Sequence, residues 1–189
     1  IHPLIRDEKG QKMSKSKGHF VTARDYLDRL PPEYLRYYFA SKLNDGIQDL
    51  DLNWEELMHK INADLIGKVI NIASRCAKLL QPFEGQLATK MVYQDHWAQW
   101  EAQRIEIAAA YTACQFSKAM EQVMHIADQI NQLIAKEAPW TLLKSTDSNQ
   151  KLRAQQVCTM GINGFYLLMN FLQPVLPDLV AKAQSFLHV

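Results

Sequence analysis

A lysine-rich loop near the start of the chain has the residue types that handle polyphosphates. Lys12, Lys15 and Lys17 alternate with small side chains, and Gly10 and Gly18 stand on either side. Ammonium groups supply point charges, while serine hydroxyls and backbone N–H groups supply hydrogen-bond donors. Transfer of a phosphoryl or nucleotidyl group needs such groups where negative charge develops. These residue types are suited to nucleotide chemistry, although charge alone favours an ordinary solvated loop.

Two other residue sets could contact a nucleic acid. Asn71 and Arg75 are four apart, so they are neighbours on one side of a predicted helix. An amide and a guanidinium can bind base edges, and a guanidinium can also stack on a base or bind phosphate. Pro139-Trp140 could present an indole on which an unpaired base stacks. A solvated helix face and a tryptophan that closes the core remain open as alternatives.

Composition limits the classes of function. The 189 residues are 48% apolar with a net charge of +1, so any RNA contact must use local patches rather than a global basic field. No apolar run is long enough to span a membrane, and no signal peptide opens the chain. Cys76, Cys114 and Cys158 are widely spaced in apolar contexts, so we expect buried free thiols and a cytoplasmic location. Neither the cysteines nor the histidines have metal-ligand spacing, and we predict no metal site.

The first fifty residues combine short strands with short helices. Residues 1–5 and 11–13 read as two arms of a hairpin, with Gly10 in the turn. Thr22 is placed to cap a helix over residues 23–30, and Pro32 to open another over residues 32–43. The acidic stretch at residues 44–52 reads as a surface connector or, less readily, as a cation site.

From residue 53 onward the pattern predicts helices joined by connecting segments. Asn53 begins a capping-box-like start to a helix that we expect to reach Gln81. Thr146 to Asn149 reads as a polar linker, and no strand signal occurs after residue 20. The other predicted helices cover about residues 95–114, 116–136, a short turn at 139–140, 150–172 and 179–187.

These patterns predict a mainly α protein. We expect an antiparallel helix bundle over residues 54–189, preceded over residues 1–53 by a short strand, a loop and connecting helices from the end of another domain. One side of the long helix carries an apolar stripe of Met58, Ile61, Leu65, Val69, Ile72, Cys76 and Leu79. Its polar side carries Lys60, Asp64, Gly67, Asn71, Arg75 and Lys78.

The string Lys12-Met13-Ser14-Lys15-Ser16 resembles the KMSKS signature of class I aminoacyl-tRNA synthetases. Further strings have the order and spacing found in bacterial methionyl-tRNA synthetases, so the resemblance covers essentially the whole chain. They are Leu35-Arg36-Tyr37-Tyr38, Asn62-Ala63-Asp64-Leu65, Asn71-Ile72-Ala73-Ser74-Arg75, Ala138-Pro139-Trp140, Met160-Gly161-Ile162-Asn163 and Leu172-Gln173-Pro174-Val175-Leu176-Pro177.

The resemblance implies a role for each loop residue. Lys12 and Lys15 would contact the phosphates of ATP, bound with Mg²⁺, and Lys15 would stabilise the transition state of methionine activation. Met13 would anchor the loop, and Ser14 and Ser16 would shape it. We also expect this loop to be mobile, because lysine-rich loops flanked by glycine make few contacts.

The resemblance also assigns the helical residues to tRNA. Asn71 and Arg75 would bind base edges of the CAU anticodon of tRNA(Met), while Trp140, set by Pro139, would stack on an anticodon base. One position departs from the family, which often has Asn where this chain has Gly67. Any contact from that side chain is then missing.

The chain starts with Ile1 rather than Met, and the HIGH motif of the family does not occur in it. The resemblance therefore implies a fragment whose catalytic half, with the methionine pocket, lies upstream, and which alone cannot activate methionine. Its expected partner is tRNA(Met), with no role for a membrane or DNA. The remaining alternatives are an isoleucine, valine, leucine or cysteine synthetase, or a stand-alone RNA-binding or protein-interaction bundle.

Overall fold

The computed structural model describes residues 5–13 and 21–188. The predicted strand residues 1–4 and the loop residues Ser14, Lys15 and Ser16, with their predicted mobility, lie outside this part. Two strands are Ile5–Arg6 (β1) and Leu50–Asp51 (β2). The helices are Ala23–Leu27 (α1), Pro32–Ala40 (α2), Trp54–Lys60 (α3), Asn71–Leu80 (α4), Gln94–Thr112 (α5), Phe116–Glu137 (α6), Pro139–Leu142 (α7), Ser148–Leu172 (α8) and Pro177–Leu187 (α9).

The N-terminal strand differs from the predicted hairpin arm. β1 pairs in parallel with β2, Ile5 opposite Leu50 and Arg6 opposite Asp51, so the expectation of no strand after residue 20 was wrong. Arg6 keeps only an isolated antiparallel bridge to Lys12. The Arg6 guanidinium also donates to both Asp51 carboxylate oxygens, at 2.6 and 3.2 Å. Strands of two residues are too short to give an alternating apolar pattern in the sequence, so this pairing could not be predicted from periodicity.

Local turn and cap signals were read correctly. Gly10 has φ +71° in the turn, as its conformational freedom allows. Thr22 and Asp25 form the reciprocal capping box at the start of α1. Pro32 is the first residue of α2. Both helices end about three residues earlier than expected.

The helix that begins at Trp54 is not uniformly α. The Asn53 side chain accepts from the Glu56 N–H at 2.9 Å, as the cap signal predicted. Between α3 and α4, residues Ile61–Ile70 form a π-helical segment, whose turns are wider than those of an α-helix. A β-carbon at Gly67 would lie 3.1 Å from the Asn62 carbonyl oxygen, so glycine suits this backbone.

Two residues of the predicted stripes lie on the wrong side. Met58 was expected in the core but is 50% exposed. Asp64 was expected on the polar side but is buried, because α2 crosses this side of the helix and the Tyr37 hydroxyl donates to Asp64 at 2.8 Å. Lys60 balances the carboxylate with an ion pair of 2.9 Å. The other predicted core residues from Ile61 to Cys76 are buried.

α8 is the central helix of the bundle, with α4 and α6 packed against it. Two glycines permit the close approach. A β-carbon at Gly161 would lie 2.5 Å from the Cys76 sulfur, and one at Gly164 would lie 2.8 Å from the Ile130 Cδ1 atom. Such distances are below contact distance, so α4 and α6 depend on glycine at both positions.

The cysteines divide into two classes. Cys76 and Cys158 are buried together, and their mutual hydrogen bond and burial raise the pKa of the Cys76 thiol. Cys114 is exposed, so its predicted burial was wrong. It takes a left-handed conformation, with φ +58°, where the chain turns after α5. Its apolar neighbours in the sequence lie at the end of α5 and the start of α6, while the Cys114 side chain itself is exposed.

A pair of side chains on α2 binds the turn between α8 and α9. The buried Glu33 carboxylate, 8% exposed, accepts from the N–H groups of Asp178 at 2.6 Å and Leu179 at 2.9 Å. These are N–H groups at the start of α9, which need an acceptor from outside the helix. Arg36 donates to the carbonyl oxygens of Pro174 and Val175, both at 2.9 Å. We call these contacts the α2 clasp.

The remaining boundaries agree with the predictions to within two or three residues. α8 starts at Ser148, inside the predicted linker, because Asp147 accepts from the Asn149 N–H at 2.8 Å and caps it. α9 starts at Pro177, a residue suited to the first helical turn. Within residues 5–13 and 21–188, no helix combines the length and apolarity that crossing a membrane requires. The proposed division into 1–53 and 54–189 remains a prediction.

We expect Gly161→Ala to lower the free energy of unfolding by about 1–2 kcal/mol, because the clash with Cys76 outweighs the better helix propensity of alanine. Denaturant unfolding measures this change. Cys76→Ala in the same chain should remove part of the cost, since the new methyl group would then lie 3.7 Å from the Cys76 β-carbon. Equal or greater stability of Gly161→Ala would show that the helices do not depend on this glycine.

Candidate functional site

The structure brings together two residues that the sequence placed in separate sets. Arg75 on α4 and Trp140 on α7 are 65 positions apart, yet the Arg75 Cζ atom lies 5.0 Å from the centroid of the Trp140 ring. This is a cation–π contact, in which the guanidinium is attracted to the electron-rich face of the ring. A stacking group and a cation are therefore adjacent on one surface.

Trp140 is held at the surface by its neighbours in the chain. It is 37% exposed, whereas Pro139 before it is buried. Ala138, which ends α6 and precedes α7, has φ +45° and ψ +56°. A left-handed conformation costs a residue other than glycine about 1–3 kcal/mol, so the surrounding contacts must offset it. This strained turn fixes the direction from which Trp140 leaves the bundle.

Asn71 is the first residue of α4 and is half-buried. It lies one helical turn before Arg75, as predicted, and its carbonyl oxygen accepts from the Ser74 hydroxyl at 3.3 Å. Neither Asn71 nor Arg75 belongs to the buried core, and the neighbouring Ile72 and Cys76 do. The predicted residues Asn71, Arg75, Pro139 and Trp140 thus lie on α4 and α7, the two elements that meet at the Arg75–Trp140 contact.

Sequence reasoning missed a network beside this turn. The Glu137 carboxylate, one residue before Ala138, accepts from Arg153 Nε at 2.8 Å through Oε2 and from the Tyr93 hydroxyl through Oε1. The Arg153 Cζ atom also lies 5.1 Å from the centroid of the Tyr93 ring. The hydrogen bond from Arg153 lowers the pKa of Glu137. Only the position of Glu137 next to the Ala-Pro-Trp string could have drawn attention to it.

The described part of the lysine loop lies beside β1. Lys12 is exposed, and Met13 is half-buried and packs against the hydrophobic core. This packing is what an anchoring residue requires. The loop residues Ser14, Lys15 and Ser16 are outside the described residues, so the structure does not relate the two lysines to each other.

The acidic connector makes contacts with the protein itself. Asp51 binds the Arg6 guanidinium, and Asp49 lies 3.8 Å from it. Asp45 accepts from the Gln115 side-chain amide at 3.2 Å. These contacts favour the surface connector over the cation site.

Residues 6–77 match the protein family described as tRNA synthetases class I (M). These 72 of the 189 residues are similar to that family, and we call them the class I segment. The Mycobacterium tuberculosis methionyl-tRNA synthetase in complex with methionyl-adenylate has a similar structure, with a TM-score of 0.85 and 21% identity over 95% of this chain. The apo form of that synthetase matches 83% of the chain with a TM-score of 0.74 and 18% identity.

The two solved structures confirm the predicted mainly α fold. The family match agrees with the predicted resemblance to class I synthetases over residues 6–77. The chain spans 36% and 32% of the lengths of those two synthetase structures, about a third. The class I segment ends at residue 77, so it includes the lysine loop, Asn71 and Arg75, while Trp140 lies in the bundle whose fold the two structures share.

Glu137→Gln should destabilise the protein in a pH-dependent way. Because the folded-state pKa of Glu137 is lowered, its ionised form stabilises the fold above the unfolded-state pKa of about 4.3, and this contribution is lost as the pH falls through the folded-state value. The difference in free energy of unfolding between wild type and variant should be largest near neutral pH and shrink below about pH 4. Urea unfolding across this range measures it.

The matched control is Glu101→Gln, which removes the same charge from an exposed position on α5. It should leave unfolding nearly unchanged at every pH. A difference for Glu137→Gln that does not vary with pH would mean that the ionised carboxylate contributes nothing through Arg153.

Proposed function

We propose that the chain is part of a methionine–tRNA ligase and binds the CAU anticodon of tRNA(Met). The observation that carries this proposal is the Arg75 guanidinium against the Trp140 ring, at a surface of a fold shared with methionyl-tRNA synthetase. One residue comes from the class I segment and the other from the bundle beyond it, and the contact joins them.

The chemistry of the pair suits an unstacked base. A base stacked on an aromatic side chain gains about 1–3 kcal/mol, and the indole is exposed enough to receive one. Arg75 can donate to an acceptor on a base edge or to a phosphate, and the Asn71 amide can both donate and accept. Trp140 would therefore supply stacking energy, and Asn71 with Arg75 would supply discrimination between bases.

Charge near these elements supports an RNA ligand. Four exposed lysines lie on α4 or in the segment from the end of α6 to the start of α8. They are Lys78, Lys136, Lys144 and Lys151. Since the whole chain carries only +1, this is a local surplus of the kind that phosphate contacts need.

The lysine loop would serve the activation step of the same enzyme. Lys12 and Lys15 would bind the phosphates of ATP, with Mg²⁺ supplied alongside the nucleotide, while methionine binds in a catalytic half outside these 189 residues. Ser14 and Ser16 would shape the loop, and Met13, packed on the core, would anchor it. The chain alone would then show no methionine-dependent exchange of pyrophosphate into ATP. A cytoplasmic location follows from this role.

A titration with RNA tests the proposal. We expect the chain to bind an anticodon stem-loop with CAU more tightly than loops with any one anticodon base changed, at stated moderate salt. Trp140→Ala should weaken CAU binding by about 5- to 150-fold, the loss of one stacked base. Fluorescence anisotropy of a labelled stem-loop measures the affinities.

Tyr166→Ala is the matched control, because Tyr166 is also 37% exposed but lies in a groove between α5 and α8. It should bind CAU as the wild type does. Equal binding to all loops, lost as the salt concentration rises, would indicate phosphate contact alone and refute anticodon recognition. Preference for the anticodon of another amino acid would instead assign the chain to a different class I synthetase.

A further inference from the structure

We propose that Glu137 is a positioning residue for RNA recognition, and that it acts by fixing the turn from which Trp140 projects. The inference rests on the proposed function, because it concerns the same surface. In this role Glu137 does not itself bind a base. It determines where the ring stands relative to Arg75.

The first step of the argument is the turn itself. Ala138 is the single residue between α6 and α7, and it is held at φ +45° without a glycine. Its carbonyl oxygen accepts from the Thr141 N–H at 2.8 Å, and its own N–H donates to the Ile134 carbonyl oxygen at 3.0 Å. A small rotation at Ala138 would move Trp140 as a whole, because α7 has only four residues.

The second step is the way in which Glu137 ties this turn to the other helices. Tyr93 immediately precedes α5 and Arg153 lies near the start of α8, and both bind the same carboxylate. Arg153 and Tyr93 also contact each other, so the three side chains close a triangle. One carboxylate oxygen of Glu137 thereby ties the end of α6 to the start of α5, and the other ties it to the start of α8.

The third step is the packing of α7. This helix packs on α8, the helix that carries Arg153, and α4, which carries Arg75, packs on α8 where Cys76 meets Gly161. Fixing the α6 end against α8 therefore fixes the plane of the indole relative to the guanidinium. A binding site whose supporting contacts are loose loses affinity and selectivity even when its contacting residues are intact.

Glu137→Ala tests the inference, with Asp128→Asn as control. Asp128 is also on α6 and forms an ion pair with Lys68 at 2.8 Å, but it lies nine residues, or about 14 Å, before Glu137 along the helix. Both variants lose one ion pair between neighbouring elements. Only the first should alter the turn.

Two readouts are needed. Hydrogen exchange should become faster at the amides of Thr141 and Leu142, which donate to the Ala138 carbonyl oxygen, in Glu137→Ala and not in Asp128→Asn. Binding of the CAU stem-loop should weaken by about threefold or more, with a smaller ratio of affinities between CAU and changed loops. Tyr93→Phe, which keeps the charge pair, should give an intermediate result and covers the case in which Glu137→Ala fails to fold.

The outcomes separate the two proposals. If wild type prefers CAU and Trp140→Ala destroys that preference, but Glu137→Ala and Tyr93→Phe retain full affinity and selectivity, the positioning role is refuted and anticodon recognition stands. Unchanged exchange at residues 141 and 142 would also refute it. If wild type shows no preference for CAU, the failure lies in the proposed function, and the exchange experiment still reports whether Glu137 holds the turn.

Discussion

The close approach of α4 and α6 to α8 is the constraint on which the rest of the molecule depends. Gly161 leaves room for the Cys76 sulfur, and Gly164 leaves room for Ile130. α4 carries Arg75, and α6 leads into the turn that presents Trp140. Because both helices are set by the same central helix, the separation of the guanidinium and the indole is a property of the core rather than of a flexible surface.

The proposed recognition surface is built from residues that are only partly exposed to solvent. Pro139 is buried beneath Trp140, and Ile72 and Cys76 flank Arg75 on the core side. The left-handed backbone at Ala138 lies between buried Pro139 and Glu137, whose carboxylate binds Tyr93 and Arg153, and such surrounding contacts can offset backbone strain. An RNA ligand would meet groups that have already lost most of their freedom, which reduces the entropy cost of binding.

Sequence rules that depend on neighbouring residues predicted the turns, helix caps and helix boundaries. Turn and cap residues correctly predicted one turn and three helix starts: these are Gly10, Thr22 with Asp25, Pro32 and Asn53. Most helix boundaries followed from the spacing of apolar residues. Sequence reasoning failed where distant parts of the chain meet. The Tyr37 hydroxyl binds the buried Asp64 carboxylate, and Arg6 binds Asp51 where β1 pairs with β2. Tyr93 and Arg153 converge on Glu137 in the same way. The resemblance to the synthetase family singled out Arg75 and Trp140, which the structure places in contact, but it did not predict the Glu137 network beside them.

The α2 clasp has a consequence for folding during synthesis on the ribosome. Glu33 is made 145 positions before the amides it caps, so its carboxylate has no partner until α9 has been synthesised. Burying that charge unpaired would be costly, and closing so long a loop is entropically slow. We therefore expect α2 to complete its docking on the bundle only after α9 has been synthesised.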